Sequence, residues 1–136
     1  MNRERLRAFR DARYELIQLK GQLGEMEARM YSPKGQSITG LPSSHGGGRT
    51  MEDLAAAHIR LGELYNEKIL HIEMEQYAIE KAIEDLTPEE RRVIRARYLE
   101  GRSWDQVCRS VHYEWAQTHR IHAAALRKLE KVNPGG

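Results

Sequence analysis

Cysteine and histidine side chains of the types that bind metal ions occur close together in the last third of the chain. Cys108, His112, His119 and His122 follow one another at intervals of four, seven and three residues, and thiolate and imidazole are the common ligands of zinc. If this stretch is helical, Cys108 lies on the apolar face and His119 on the outer face, so the four side chains do not converge. We therefore expect no metal site.

Two glycine-rich segments imitate functional loops only in part. The segment Gly35–Gly40 has the spacing of a phosphate-binding loop, but Leu41 and Pro42 stand where that loop has its lysine and hydroxyl residue. The segment His45–Gly48 is similar to an esterase oxyanion loop, yet the chain contains no Gly-x-Ser-x-Gly motif to supply a nucleophile. We expect no catalytic residue, no cofactor and no enzymatic activity.

The charge of the chain is distributed unevenly. The 136 residues include 22 Lys and Arg against 20 Asp and Glu, and this length suffices for one compact domain or two small helical pieces. Residues 1–86 carry 12 basic and 14 acidic side chains, whereas residues 87–136 carry 10 basic and 6 acidic ones. The positive excess of the last third points to nucleic acid as a partner, because clustered Lys and Arg side chains neutralise phosphates.

The sequence also bears on location. No apolar run exceeds four residues, and the N-terminus has no apolar stretch of the kind found in signal peptides. The single cysteine, Cys108, cannot form an internal disulfide, which is typical of a reducing compartment. We expect a soluble protein of the cytoplasm, with no membrane partner.

Two long helices joined by a loop are predicted for residues 1–86. A Gly-, Pro- and Ser-rich loop over residues 31–50 separates a helix of about residues 2–30 from one of about residues 51–86. Apolar side chains recur at helical spacing, at Phe9, Ala12, Leu16, Leu19, Leu23, Met26 and Met30 in the first helix and at Leu54, Leu61, Tyr65, Ile69, Ile72, Ile79, Ile83 and Leu86 in the second. These stripes predict a long antiparallel hairpin, and their length predicts a homodimer.

The other face of the first helix is charged. Its side chains are Arg3, Arg7, Arg10, Asp11, Lys20, Glu25 and Arg29. Charged residues opposite an apolar stripe are typical of a solvent-exposed surface. We expect this face to be solvated.

Three shorter helices are predicted for residues 87–136. Thr87 with Glu90, and Ser103 with Gln106, have the spacing of capping boxes, so one helix runs to Gly101 and the next to about Val111. After a turn, a third helix extends from Glu114 to about Lys131. The predicted inward positions are Val93, Ile94, Tyr98, Val107, Cys108, Val111, Thr118, Ile121, Ala125 and Leu129. A short helix, a tight turn and a longer helix with basic outer positions is the layout of a helix-turn-helix.

The sequence of this part resembles a known DNA-binding region. The run Leu86–Gly101 is similar to the opening of the fourth region of primary sigma factors, Ser103–Val107 to its first motif helix, and Ile121–Leu129 to the end of its recognition helix. With a helical segment in place of the promoter-melting region, the chain resembles the small phage-encoded sigma-like regulators of late transcription, of the ArpU/RinA type. His112 stands where that family usually has glycine, and Glu114 where it has a Ser or Thr cap.

The resemblance implies a set of DNA contacts. Base-reading candidates are Trp115, Gln117, His119 and Arg120, with Ala116 on the same face, and phosphate-contacting candidates are Arg102, Arg109, Arg127 and Lys128. Among these, Arg120 is the best base reader because a guanidinium bonds bidentately to guanine, whereas Gln117 suits adenine.

We therefore predict an all-α protein with a long antiparallel helical hairpin over residues 1–86 and a three-helix helix-turn-helix domain over residues 87–136. The resemblance implies a sequence-specific regulator of transcription in the bacterial host cell, acting on double-stranded DNA. Two alternatives stay open: a small terminase subunit that recognises packaging DNA, and a helical interaction protein that binds RNA polymerase.

Overall fold

The chain is built from helices. The computed structural model describes residues 1–31 and 50–132, and over those residues it contains no strand. The helices are α1 (Arg3–Met30), α2 (Met51–Ala82), α3 (Pro88–Ile94), α4 (Trp104–Val111) and α5 (Trp115–Val132), with a 3₁₀ turn at Ile83–Asp85 and a π-helical turn at Arg95–Leu99. The all-α class predicted from the sequence is confirmed. The predicted loop, apart from Tyr31 and Thr50, lies outside the described residues.

The helices form two compact units, and both long helices pass from one unit into the other. The first unit comprises residues 1–14 and 71–136, and the second comprises residues 15–70. The predicted boundary lies between residues 86 and 87 and follows the order of the helices. The compact units instead group residues 3–14 of α1 and residues 71–82 of α2 with the C-terminal helices. Leu6 and Ile79, one from each of these two helical stretches, are fully buried.

The second unit contains the remainder of α1 and α2. Leu19 and Leu23 of the predicted apolar stripe are buried there, and Leu61 of the α2 stripe is half-buried. Nε2 of His58 lies 3.5 Å from a carboxylate oxygen of Glu27. The apolar stripes of both helices thus turn inward, as their spacing predicted.

Capping boxes start two of the short helices. The Thr87 hydroxyl accepts from the Glu90 amide at 3.2 Å, and the Glu90 carboxylate accepts from the Thr87 amide at 2.9 Å. Ser103 and Gln106 make the same reciprocal pair at the start of α4. Each box satisfies two amide groups that the first turn of a helix leaves without partners.

The three short helices share one apolar core in the first unit. Its buried side chains are Val93, Ala96, Val107, Val111 and Ile121, with Trp104 and Tyr113 packed against them. All of the predicted inward positions are buried except Cys108, which is half-buried at the edge of α4. This core fixes α4 and α5 on α3.

The turn between α4 and α5 depends on one left-handed residue. His112 has φ 61° and ψ 36° and ends α4, and its amide donates to the carbonyl of Cys108. Glycine adopts this conformation most easily, but histidine visits it more readily than most residues. Histidine at this position is therefore compatible with a tight turn.

The helix that precedes this pair ends in a π-turn that the sequence did not predict. After α3, the amide of Glu100 donates to the carbonyl of Arg95 at 2.8 Å, five residues back. Gly101 follows with φ 69°. The wider turn places Tyr98 in the interior and Arg97 over the ring of Trp104.

Candidate nucleic-acid interface

Helix α5 has one buried face and one accessible face. Thr118, Ile121, Ala125 and Leu129 are buried, as predicted. Among the predicted DNA-contacting side chains, Trp115 and Arg120 are exposed, as is Ala116 beside them, while Gln117 and His119 are half-buried. The first two turns of α5 therefore present an indole and a guanidinium to solvent, next to two side chains that are partly covered.

Two of the base-reading candidates, Arg120 and Gln117, are hydrogen-bonded to each other. Nε and Nη2 of Arg120 donate to Oε1 of Gln117 at 3.2 and 2.9 Å. These residues are three apart, so the pair lies on one helix face. The N–H groups of this guanidinium edge can also bond the O6 and N7 atoms of guanine, so base reading through this edge requires Arg120 to exchange the Gln117 amide for the base.

Aromatic rings form a chain between α4 and α5. The rings of Trp115 and His119 lie 4.3 Å apart, and those of His119 and Trp104 lie 4.2 Å apart. Burial, followed by the charges of Arg97 and Arg3, holds the pKa of His119 below its ordinary value. Its Nε2 is shielded and has no hydrogen-bond partner among the described residues. The ring of His119 thus links Trp115, on the accessible face of α5, to the indole of Trp104 on α4.

The four phosphate-contacting candidates differ in how they are held. Arg109 and Arg127 are exposed, and neither forms an ion pair or side-chain hydrogen bond within the described residues. Arg102 is about half exposed and donates through Nε to Glu100 at 2.7 Å. Lys128 donates to the buried carboxylate of Glu90 at 2.9 Å. Arg109 and Arg127 are therefore the two candidates whose charge faces solvent without a partner.

The ion pair of Lys128 is part of the capping box of α3. Burial alone would raise the pKa of Glu90, but the Lys128 ammonium and the hydrogen bonds with Thr87 outweigh it, so the pKa lies below its usual range. The carboxylate therefore stays ionised and joins α3 to α5 through Lys128. Lys128 has a role in packing that the sequence did not indicate, because its partner lies 38 residues away.

Two residues beside this surface were missed at the sequence level. The guanidinium of Arg97 lies 4.7 Å over the ring of Trp104, and its Nη1 donates to the carbonyl of Arg102 at 3.0 Å. The sequence placed Arg97 in an ordinary helix, so no signal distinguished it from its basic neighbours. The sequence predicted that Trp104 follows the N-cap Ser103 at the start of a helix, but it did not indicate the contacts of Trp104 with α5.

Comparison with known proteins identifies a family and no characterised relative. The chain belongs to the family described as "Protein of unknown function (DUF722)", whose model matches residues 46–131, more than half of the chain. No curated protein and no solved structure is similar enough to count as a match. Over residues 1–31 and 50–132, no helix combines the length and apolar character needed to cross a bilayer.

Proposed function

We propose that this member of the DUF722 family is a sequence-specific DNA-binding regulator of transcription, of the phage or prophage type, that uses α4 and α5 as a helix-turn-helix. The observation that carries the proposal is the arrangement of α5. Its N-terminal turns expose Trp115 and Arg120, while Thr118 and Ile121 hold the other face against the short-helix core. In a helix-turn-helix, the N-terminal residues of the second helix contact base edges in the major groove.

The left-handed turn supports this proposal. His112 ends α4 and only two residues, Tyr113 and Glu114, separate it from the start of α5. A connection this short, closed by a left-handed residue, is typical of the helix-turn-helix. The resemblance of residues 86–130 to sigma region four covers both helices, whereas the turn between them departs from that region at His112 and Glu114.

We also propose that α1 and α2 form the antiparallel hairpin predicted from their apolar stripes. Near the start of α1, Arg5 forms a two-bond ion pair with Glu75 of the last part of α2. Near the end of α1, Glu27 contacts His58 of the first part of α2. Contacts that run in opposite directions along the two helices are those of an antiparallel pair.

Self-association of the chain remains part of the proposal, but on a different surface from the predicted stripes. The stripe residues are buried or half-buried within the chain. Among residues 1–31 and 50–132, the large apolar side chains that stay exposed are Tyr14, Ile17, Tyr31, Met51, Ile59, Leu64, Leu70, Met74, Tyr77 and Trp115, nine of them on or next to the long helices. Exposed apolar side chains in such number on helical segments favour a second copy of the chain as the partner.

The experiment that tests the function is selection of genomic DNA fragments by the full-length protein, followed by sequencing. A regulator enriches a small number of sites that share a motif. The recovered site then serves as the probe in fluorescence anisotropy, with a scrambled duplex as the control. Equal affinity for the two duplexes, or no affinity for either, would contradict the proposal.

Two further measurements separate the alternatives. Small terminase subunits form large rings, so a ring-sized assembly by analytical ultracentrifugation would favour packaging over transcription. An interaction protein of RNA polymerase would bind the polymerase but no duplex. We expect a dimer that binds a specific duplex.

A further inference from the structure

Four arginines line a single pocket in the first unit. Arg3, Arg7 and Arg10 are four and three residues apart on α1, so they share one helix face. Arg97 of the π-turn supplies the fourth guanidinium. The other lining residues are Asp11, Tyr98 and Trp104, and the pocket has a volume of about 240 Å³.

The charges of this arginine pocket are not balanced by the protein. Asp11 is the one carboxylate in the lining, against the four guanidinium groups. Nε of Arg10 is shielded from solvent and has no hydrogen-bond partner among the described residues. Burial and then the charges of Arg10, Arg7 and Arg3 lower the pKa of Arg97, against a smaller opposing effect of Tyr98. Guanidinium groups that repel one another are stabilised by an anion placed between them.

The pocket is connected to the candidate interface through Trp104. The guanidinium of Arg97 lies over the indole of Trp104, and the ring of His119 on α5 lies 4.2 Å from the same indole. Trp104 is also the first residue of α4. In helix-turn-helix proteins the first helix of the motif crosses the DNA backbone while the second enters the groove. If α5 contacts the bases of a duplex, the backbone of that duplex therefore passes beside the start of α4, where the arginine pocket lies.

We propose that the arginine pocket binds a phosphate group, and that the phosphate belongs to the DNA backbone next to the groove contacted by α5. Guanidinium groups match phosphate oxygens with paired N–H donors, which favours phosphate over a single carboxylate at a site with three excess positive charges. Pockets for whole small-molecule ligands measure about 300–1,000 Å³. This pocket is smaller, which suits one phosphate group of a longer ligand.

The inference rests on the proposed function, because that function identifies DNA as the source of the phosphate. It extends the DNA-contacting surface to a segment outside the helix-turn-helix. The N-terminal turns of α1 would then contribute directly to DNA binding. This differs from the solvated face expected from the sequence, because Arg97 and Trp104 are brought to that face only by folding.

The test uses the full-length protein and compares Arg7→Gln with Arg29→Gln. Arg7 is an exposed member of the pocket, so its replacement leaves the core intact, whereas Arg29 is an exposed arginine of the same helix outside the pocket. The probe is a fluorescently labelled duplex of mixed sequence, titrated at several salt concentrations. We expect Arg7→Gln to reduce affinity about fivefold and to lower the slope of log affinity against log salt by about 0.9, while Arg29→Gln changes neither.

Equal behaviour of the two variants, with clear binding by the wild type, would overturn the inference and leave the proposed function in place. Absence of duplex binding by the wild type would contradict both the proposed function and the assignment of the bound phosphate to DNA. A poly-glutamate peptide that competes as well as the duplex would instead identify an acidic protein as the occupant and overturn the inference.

A second measurement examines the pocket without DNA. Inorganic pyrophosphate is added during thermal unfolding, with sodium chloride at matched ionic strength as the control. We expect pyrophosphate to raise the melting temperature of the wild type and of Arg29→Gln but not that of Arg7→Gln. Pyrophosphate stabilisation that depends on Arg7, in a protein that binds no duplex, would show that the source is a free phosphate compound and would refute the backbone assignment. No stabilisation of the wild type would refute the phosphate site itself.

Discussion

The hydroxyl of Tyr98 lies 2.8 Å from Nε2 of His122, and both side chains are buried. The pair joins the π-turn after α3 to the middle of α5. Burial raises the pKa of Tyr98, so the phenol stays protonated and shares a hydrogen bond with the imidazole. Burial, followed by the charges of Arg3, His119, Arg97 and Arg7, lowers the pKa of His122 to about 4.

This relationship predicts that the protein becomes less stable in mild acid. His122 stays neutral in the folded chain down to about pH 4, whereas in the unfolded chain it gains a proton near pH 6.5. The unfolded state therefore binds more protons between these values, so stability falls as the pH drops through that range. The loss at pH 4 amounts to at most about 3 kcal/mol.

Urea unfolding of the wild type and of His122→Gln across pH 4 to 7 measures this effect. The glutamine variant keeps a hydrogen-bonding group for Tyr98 but does not titrate, so its stability should depend less on pH. His71→Gln, at an exposed position of α2, is the control and should follow the wild type. If the stability of all three proteins declines in parallel as the pH falls, groups other than His122 cause the acid sensitivity.

Arg120 is expected to read a base. Arg120→Ala should lower affinity for the selected DNA site by about 1–3 kcal/mol and relax the preference at one base pair, because a bidentate contact to guanine is lost. Anisotropy with the selected duplex and with single-base variants measures both effects. Arg60→Ala, an exposed arginine of α2, should leave them unchanged. If Arg120→Ala weakens binding to random DNA equally, the residue contacts a phosphate.

His119 is expected to make DNA binding dependent on pH. In the free protein, burial and then Arg97 and Arg3 hold its pKa below the ordinary value. Nearby phosphates favour the protonated ring, so binding takes up a proton and affinity rises as the pH falls from about 8 to 6. Because the pKa starts low, most of the rise should occur at the acidic end of this range.

Titrations of the selected duplex across this pH range test the role of His119. His119→Gln should flatten the profile, whereas His112→Asn, which preserves a residue tolerant of the left-handed conformation, should not. An unchanged profile in His119→Gln would show that the ring is remote from the bound phosphates.

Lys128 is expected to act in stability more than in DNA binding. Its ammonium is the ion-pair partner of the buried Glu90 carboxylate. Lys128→Ala should therefore destabilise the fold by about 1 kcal/mol, since a part-buried charge-assisted hydrogen bond to Glu90 is lost and the exposed ammonium is partly screened by solvent. Arg127→Ala, at the neighbouring exposed position, should barely change stability but should reduce the salt dependence of DNA binding. Chemical unfolding and salt titrations distinguish the two, and the reverse pattern would contradict the geometric assignment.

Self-association is expected to involve the exposed apolar side chains of the long helices. Ile17 is 63% exposed on α1, so a charge placed there does not disturb the interior of the monomer. Ile17→Glu should shift the full-length protein toward monomer in sedimentation velocity, whereas Gln18→Glu, at the adjacent exposed position, should not. A wild type that is strictly monomeric at high micromolar concentration would disprove the dimer.

Local signals in the sequence determined the helices and most of their ends. The capping boxes at Thr87 and Ser103 were readable because each joins residues only three positions apart. The spacing of Thr118 and Ile121 indicated the buried face of α5, since a regular helix repeats its contacts every three or four residues. The place of the turn at His112 followed from the same periodicity.

Contacts between residues distant in the chain required the tertiary structure. The partner of Lys128 lies 38 residues away, and no periodicity relates an ammonium on α5 to a carboxylate in the cap of α3. The π-turn shifts the helical register after Arg95, so the sequence pattern of a regular helix could not place Arg97 over Trp104. The arginines of α1 had the pattern of a solvated face, and only folding brings Arg97 beside them in one pocket. Helix formation is decided by near neighbours, whereas the electrostatic environment of a site is decided by whichever charges packing brings together.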